Sequence, residues 1–216
     1  MTKRHMILAA VLCLVAFMIV FAIAKHRARA LPWQGVADPR GQSLRERVKK
    51  SGSVTATAQP TNLRRYNDVG ALTQESNVIL IGTVDQSNSH LLEPAEQMVV
   101  TDFVVKVNKT FKGTVDSAPT ITVRAPGGKV DFGDGTSAEV KLPEFWNNPE
   151  VGKSYVLFLE KRSTDYYVLR GGPQGTFEVT SAGTIKPEVR EDDQLMKRYN
   201  GVLARAFYEE VRRVVK

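Results

Sequence analysis

Cysteine and histidine are nearly absent from this chain of 216 residues. The single cysteine, Cys13, excludes an intrachain disulfide bond and any zinc site built from several cysteines. Of the three histidines, His5 and His26 lie near the N-terminus, which leaves only His90 in the rest of the chain. Catalysis that needs several histidines, as bases or as metal ligands, therefore has almost no residues to use.

Motifs of catalysis and phosphate binding are also absent. The stretch Asp131-Phe-Gly-Asp-Gly135 lacks the other parts of a kinase site and the further carboxylates of a calcium loop, so it predicts a hairpin turn. Gly171-Gly-Pro-Gln-Gly175 lacks the Lys-Ser or Lys-Thr pair of a phosphate-binding loop and also predicts a turn. We interpret His90 as a solvated residue of a polar loop over 85–97, with weak metal binding or a triad base as alternatives. The sequence thus predicts no catalytic residue, no cofactor site and no metal site.

One long apolar run lies close to the N-terminus. Residues 6–24 contain no charge, glycine or proline, and as a helix they would extend about 28 Å, close to the hydrocarbon thickness of a bilayer. They predict a single transmembrane helix, an uncleaved signal anchor in the cell membrane. A cleaved signal peptide and a secreted protein are the alternative, because small-residue cleavage patterns end at Ala24 and Ala30. The short basic head favours an extracytoplasmic C-terminal domain, although basic residues also follow the run.

Positive charge is concentrated in the first part of the chain. The net charge is +7, but residues 1–65 carry 12 basic and 2 acidic side chains, whereas residues 66–216 carry 18 basic and 21 acidic ones. Residues 51–60 are small and polar, which is typical of linkers. We therefore interpret residues 25–65 as a basic, flexible tether, and binding of this tether to anionic lipid or nucleic acid is the alternative.

Short apolar runs separated by turn signals follow the tether. Residues 78–84 form a continuous apolar run that predicts a buried central strand, and residues 129–132 and 137–142 predict a hairpin around Asp134-Gly135. Tyr66, Val69 and Leu72 recur at helical spacing and predict a short preceding helix. The other strand candidates cover residues 103–112, 120–125, 155–159, 166–169 and 176–180.

This series of strands predicts a mainly β fold, a small closed or nearly closed antiparallel barrel. An immunoglobulin-like sandwich is the alternative, but the Cys–Trp–Cys core of that fold is missing. Apolar residues at steps of three and four near the C-terminus predict an amphipathic helix packed on the barrel. The predicted regions are a basic head (1–5), a transmembrane helix (6–24), a tether (25–65), a β-barrel (66–188) and a C-terminal helix (189–216).

The order of these strand and turn patterns resembles that of a group of uncharacterised bacterial exported proteins. Their barrel is of the netrin-module and tissue-inhibitor-of-metalloproteinases type, so the resemblance implies an exported protein whose barrel, over residues 66–188, is of the OB (oligonucleotide/oligosaccharide-binding) type. Inhibitors of that type use a mature N-terminal cysteine and several disulfides, which this chain lacks, so their activity is not implied. The resemblance covers residues 66–182 and rests on Ser76–Val84, Thr101–Gly113, Ile121–Gly128, Val151–Leu159 and Gln174–Val179.

These observations predict a membrane-anchored, extracytoplasmic binding or interaction module without catalytic machinery, whose partner is a protein or a small ligand. An enzyme without a recognisable motif is the alternative. Nucleic acid is disfavoured because residues 66–216 are net acidic and because most aromatic side chains lie in apolar runs, where they predict core packing. These aromatic residues are Phe103, Tyr155, Phe158, Tyr166, Tyr167 and Phe177.

Overall fold

A computed structural model describes residues 33–34, 42–60, 63–94, 96–115 and 119–216. The predicted basic head (1–5) and transmembrane helix (6–24) lie outside the described residues. Within the described ranges, no helix is both long enough and apolar enough to span a bilayer.

Strands dominate the described residues, together with a few helices. The strands are β1 (Trp33–Gln34), β2 (Ser53–Thr57), β3 (Gln59–Pro60), β4 (Val78–Leu91), β5 (Val99–Lys112), β6 (Thr120–Pro126), β7 (Gly128–Asp131), β8 (Ser137–Lys141), β9 (Ser154–Lys161), β10 (Tyr167–Leu169), β11 (Thr176–Val179) and β12 (Ile185–Pro187). The helices are α1 (Leu44–Ser51), α2 (Val69–Glu75), α3 (Gln194–Tyr199) and α4 (Ala204–Val215). The prediction of a mainly β fold is confirmed.

Strands β4, β5, β6, β9 and β10 pair with one another in a ring. The pairs β4–β5, β5–β6 and β4–β9 are antiparallel. Strand β10 joins the two ends of this sheet, because it pairs antiparallel with β9 and parallel with β6. The sheet therefore partly closes on itself. The closing contact with β6 is short and parallel, which differs from the predicted all-antiparallel barrel.

Strand β9 separates two apolar cores. Its residues Tyr155, Leu157 and Leu159 face the inside of the ring, where aliphatic side chains of β4, β5 and β6 surround them. Val156 and Phe158 point the other way, toward the core shared with α2 and α4. This alternation is the ordinary consequence of the two-residue period of a strand. Because side chains fill the ring interior, the polar sites described below lie outside it.

The hairpin predicted around Asp134-Gly135 is confirmed as strands β7 and β8, which pair antiparallel. It does not belong to the ring, however. Strand β2 pairs in parallel with β8, and the three strands form a separate sheet in the order β2-β8-β7. The chain therefore brings a segment from before the predicted barrel against an insertion within it.

Part of the predicted flexible tether is folded, so the interpretation of residues 25–65 is wrong for residues 43–57. Ser43 and Glu46 form a capping box at the start of α1, with reciprocal hydrogen bonds of 3.1 and 3.0 Å. Leu44 and Val48, one helical turn apart, are buried. The linker-like composition misled the prediction because β2 is stabilised by pairing with distant β8, and that pairing leaves no local signal.

The C-terminal region contains two helices where one was predicted. Helix α3 ends at Tyr199 and α4 begins at Ala204, with Gly201 between them at a φ of 78°, which favours glycine. The predicted packing of this region on the sheet is confirmed, because Phe207 of α4 contacts Phe177 of β11 with ring centroids 4.9 Å apart. The predicted short helix before the first long strand is also confirmed as α2.

Candidate ligand-binding site

An ion pair on neighbouring strands β5 and β6 forms the centre of the candidate site. Asp102 and Arg124 are cross-strand partners in the β5–β6 register. The guanidinium of Arg124 donates two hydrogen bonds to the carboxylate, from Nε at 2.6 Å and from Nη2 at 2.7 Å. Only 21% of the Asp102 side chain and 17% of the Arg124 side chain are exposed. A bidentate pair of this kind fixes the orientation of both side chains as well as the position of their charges.

The pair changes the acidity of both partners. Burial by itself raises the pKa of Asp102, but the hydrogen bonds and charge of Arg124, with smaller contributions from His90, hold that pKa below its usual range. The hydrogen bond to Asp102 raises the pKa of Arg124. Both groups are therefore ionised at neutral pH, and the pair presents fixed charges rather than a proton donor.

His90 extends the ion pair from the neighbouring strand. Its Nε2 lies 3.1 Å from Oδ2 of Asp102, and its Nδ1 lies 3.0 Å from the carbonyl oxygen of Leu91. The prediction of a solvated loop histidine is wrong, because His90 lies in β4 and its ring is only 34% exposed. Strands β4 and β5 both continue past the apolar part of the sheet. In this outer part, polar side chains of the two strands lie opposite one another.

Tyr166 contributes an aromatic surface beside this cluster. The guanidinium carbon of Arg124 lies 4.2 Å from the centroid of the Tyr166 ring, a stacking geometry. Core packing was predicted for most of the six aromatic residues of the strand runs, and it is confirmed for five of them, which are at most 4% exposed. Tyr166 is the exception, since it lies only half-buried just before β10.

A cavity of about 420 Å³ opens beside His90 and Arg124, and α1 and the β7–β8 turn complete it. Arg45 of α1 stacks over the ring of Phe132, with its guanidinium carbon 5.0 Å from the centroid. Arg45 also donates from Nε to the Glu96 carboxylate at 2.9 Å. The two arginines of this cavity are therefore each paired with a carboxylate and stacked on an aromatic ring.

Glu96 connects α1 to the loop between β4 and β5. Its φ of 49° lies in the left-handed region, which is uncommon for a residue with a side chain. Its carbonyl oxygen accepts a hydrogen bond from the Leu44 amide at 2.8 Å, so that backbone contact and the Arg45 ion pair hold it in place. Such a constrained residue beside a cavity is typical of a binding site.

The glycine-rich stretches have structural roles, as predicted. The hairpin turn contains Asp131 and Asp134, whose carboxylates accept hydrogen bonds from backbone amides two residues later. Gly171 and Gly172 have left-handed φ angles of 69° and 61°, and a Cβ on either would lie 2.8 Å from the ring of Tyr66 or Trp146. These positions therefore require glycine for backbone conformation and for space.

The sequence did not point to the main residues of the site. Asp102 and Arg124 occupy polar positions in alternating strands, which by itself predicts only a solvated sheet face. A signal existed in their opposite charges, but their pairing depends on the register between β5 and β6. Arg45 was placed in the tether, and no local pattern brings it to the β4–β5 loop. No group of three or more His, Cys, Asp and Glu residues with metal-site geometry occurs among the described residues.

Comparison with known proteins does not assign a function to this site. No protein family model matches this chain, and no curated protein matches it either.

Proposed function

We propose that this protein is a membrane-anchored, extracytoplasmic binding module whose OB-type barrel holds a small ligand on its outer face. The observation that carries this proposal is the cavity lined by His90, Arg124, Arg45 and Phe132, in which Arg45 stacks on Phe132 and Arg124 is paired with Asp102. In the OB fold, ligands bind on the face of the second and third barrel strands and on the adjoining loops. Strands β5 and β6 hold those positions in the ring.

The strand order supports the OB assignment. Three consecutive strands form a meander, the fourth ring strand returns beside the first, and the fifth closes the ring between the third and the fourth. A five-stranded, partly open Greek-key barrel has this arrangement. The anchor and the extracytoplasmic position rest on the apolar run 6–24 and on the basic head before it.

The chemistry of the cavity favours a neutral, hydroxyl-rich ligand such as an oligosaccharide. Its arginines are already paired with carboxylates, so a strong anion meets no unopposed guanidinium in this cavity. The carboxylate and guanidinium groups retain hydrogen-bonding capacity for hydroxyl groups. Phe132 offers an apolar surface on which the flat face of a sugar ring can pack.

The ligand class is tested by calorimetric titration of the full-length protein with soluble cello-, malto- and chito-oligosaccharides. We expect at least one series to bind, and the Phe132→Ala variant to bind it about tenfold more weakly because an apolar contact surface is lost. Phe111→Ala is the matched control, since Phe111 is also a half-buried phenylalanine but stacks on Tyr208 away from the cavity. Equal losses in both variants, or no binding by any series, would contradict the proposed ligand class.

The placement is tested separately by fusing a reporter that is active only outside the cytoplasm to the C-terminus. We expect activity from this fusion, and none from a matched fusion that lacks residues 6–24. A reporter that works only in its cytoplasmic form would contradict the extracytoplasmic position while leaving the ligand question open to the titration.

A further inference from the structure

A second cavity, of about 390 Å³, shares no lining residue with the first. It lies where the segment before α2, the glycine turn at 171–174 and the loop between β12 and α3 meet. The carboxylates of Asp192 and Asp193 line it together with apolar side chains and arginines, namely Leu63, Phe145, Val189, Arg64, Arg65 and Arg190. Its volume lies within the usual range for a small-molecule site, about 300–1,000 Å³.

The floor of this cavity is held rigidly by one buried amide. The Gln174 side chain accepts a hydrogen bond from the Tyr66 amide at 2.8 Å and donates one to the Tyr66 carbonyl at 2.9 Å. It also donates to Asp193 Oδ2 at 3.0 Å, and the Leu195 amide donates to Asp193 Oδ1 at 2.9 Å. Both oxygens of the Asp193 carboxylate therefore accept hydrogen bonds from the protein itself. Because these bonds are already formed, the cavity needs little rearrangement to accept a ligand.

The three arginines differ in how strongly they are engaged. Arg64 lies 2.7 Å from the carboxylate of Glu75. Arg190 pairs with Asp192 at 3.1 Å, but both side chains are more than 60% exposed, and such a pair contributes little free energy. Arg65 has no ion-pair partner within the part of the chain that the structure describes. An anionic group in the cavity would therefore meet one unopposed guanidinium and one that exchanges partners easily.

An adjoining cavity limits how much negative charge the ligand can carry. This adjoining cavity, of about 730 Å³, shares Phe145, Arg190 and Asp192 with the second cavity and is also lined by Glu144 and Glu191. The carboxylates of these acidic residues would repel a polyanion. A ligand with a single negative charge and an apolar remainder is compatible with the charges of both cavities. Its apolar part can contact Phe145, which lines both of them.

We propose that this second cavity binds a small organic monocarboxylate with an apolar or aromatic body. Arg65 binds the carboxylate, for which the planar guanidinium offers two parallel N–H donors. Phe145 and Leu63 contact the apolar body. This site is independent of the saccharide site proposed above, because the two cavities have no residue in common.

The ligand chemistry is tested by titrating the full-length protein with N-acetyl-phenylalanine and with its neutral amide, followed by NMR or calorimetry. The two probes share the aromatic body and differ only in the carboxylate. We expect the acid to bind at least tenfold more tightly, since a hydrogen-bonded charge is added. Phenyl phosphate, a dianion near neutral pH, should bind more weakly than the acid. Equal binding of acid and amide would overturn the proposal.

Variants then assign the site. Arg65→Ala should weaken binding of the acid about tenfold and leave binding of the amide unchanged. Arg205→Ala is the matched control, because Arg205 is an exposed arginine on α4 outside both cavities. Since Arg65 is exposed, its replacement should not change the melting temperature, which separates lost binding from lost folding. Unchanged binding of the acid by the Arg65 variant would overturn the assignment.

Discussion

Asp102 and Glu188 are both shielded carboxyl groups, but the charges around them differ. The Asp102 carboxylate receives two hydrogen bonds from Arg124 and faces His90. Glu188, just after β12, is only 5% exposed, and its Oε1 has no hydrogen-bond partner among the described residues. Lys186 lies 3.8 Å from that oxygen, but it also lies 3.6 Å from the competing carboxylate of Glu178.

The two surroundings move the pKa values in opposite directions. Burial, followed by the neighbouring carboxylate of Glu178, raises the pKa of Glu188 against the opposing charge of Lys186. Burial has the same sign at Asp102, but Arg124 outweighs it and the pKa falls. Burial alone therefore does not decide whether a carboxyl group is ionised. The sign and the geometry of the nearest partner decide it, which is why the Asp102 cluster can serve as a fixed polar surface.

We expect the largest effect from Asp102→Asn, which tests the contrast between the two carboxyl groups directly. The amide cannot balance the partly buried guanidinium of Arg124, so we expect a loss of about 2–3 kcal/mol in the free energy of unfolding at pH 7. Urea unfolding measures it. Asp192→Asn is the matched control, because Asp192 belongs to an exposed ion pair and its replacement should cost less than about 0.5 kcal/mol.

The pH dependence of the Asp102 variant identifies the cause. The lowered pKa means that the carboxylate stabilises the fold above the ordinary aspartate pKa of about 3.9 and loses this contribution as the pH falls through the folded-state value. The difference between wild type and Asp102→Asn should therefore shrink below that pH. A difference that stays constant down to pH 2 would assign the loss to packing instead of charge.

A smaller effect is expected from Arg124→Lys. Lysine keeps the positive charge but loses the two parallel hydrogen bonds to Asp102 and the stacking on Tyr166. We expect a loss of about 1.5 kcal/mol by thermal or urea unfolding. Arg213→Lys, on the exposed side of α4, is the control and should leave stability unchanged. Equal stability of the Arg124 variant and wild type would show that charge alone maintains the cluster.

The smallest effect, of opposite sign, is expected from Glu188→Gln. A raised folded-state pKa means that the folded protein binds this proton more tightly, so the contribution is complete below the ordinary glutamate pKa of about 4.3 and is lost as the pH rises. The variant should therefore be more stable than wild type by about 1 kcal/mol at pH 8 and equal to it below pH 4. Glu191→Gln, which is exposed, should show no such pH-dependent gain.

Much of the fold could be predicted from local patterns. The run at 78–84 predicted the buried part of β4, and Asp134-Gly135 predicted the β7–β8 hairpin, because alternation and turn residues act over a few positions. The helix break at Gly201 had a local signal too, since glycine disfavours a helix interior, but the apolar spacing on both sides concealed it. Residues 53–57 were misassigned because they pair with a strand far along the chain, whereas helix α1 before them had a local signal, the Ser43–Glu46 capping box, which the sequence analysis missed.

The candidate sites could be predicted much less well than the strands. Asp102 and Arg124 are separated by 22 positions, and only the β5–β6 register makes them neighbours. Arg45 and Glu96 are separated by 51 positions and meet because α1 docks on the loop between β4 and β5. Arg65 and Phe145 line one cavity although 80 positions separate them. Pairings at this distance depend on the global chain path and leave no periodic pattern.

The sequence by itself determined where most strands of the ring, the β7–β8 hairpin and the short helix α2 lie, and that positive charge is concentrated before residue 66. Those properties follow from side-chain alternation, turn residues and composition, which act locally. Only the tertiary structure decided that β10 closes the ring between β6 and β9, that the chain before the ring folds against β8, and where the two cavities lie. These features arise from contacts between distant segments, which form when their buried area and hydrogen bonds offset the entropy of closing long loops.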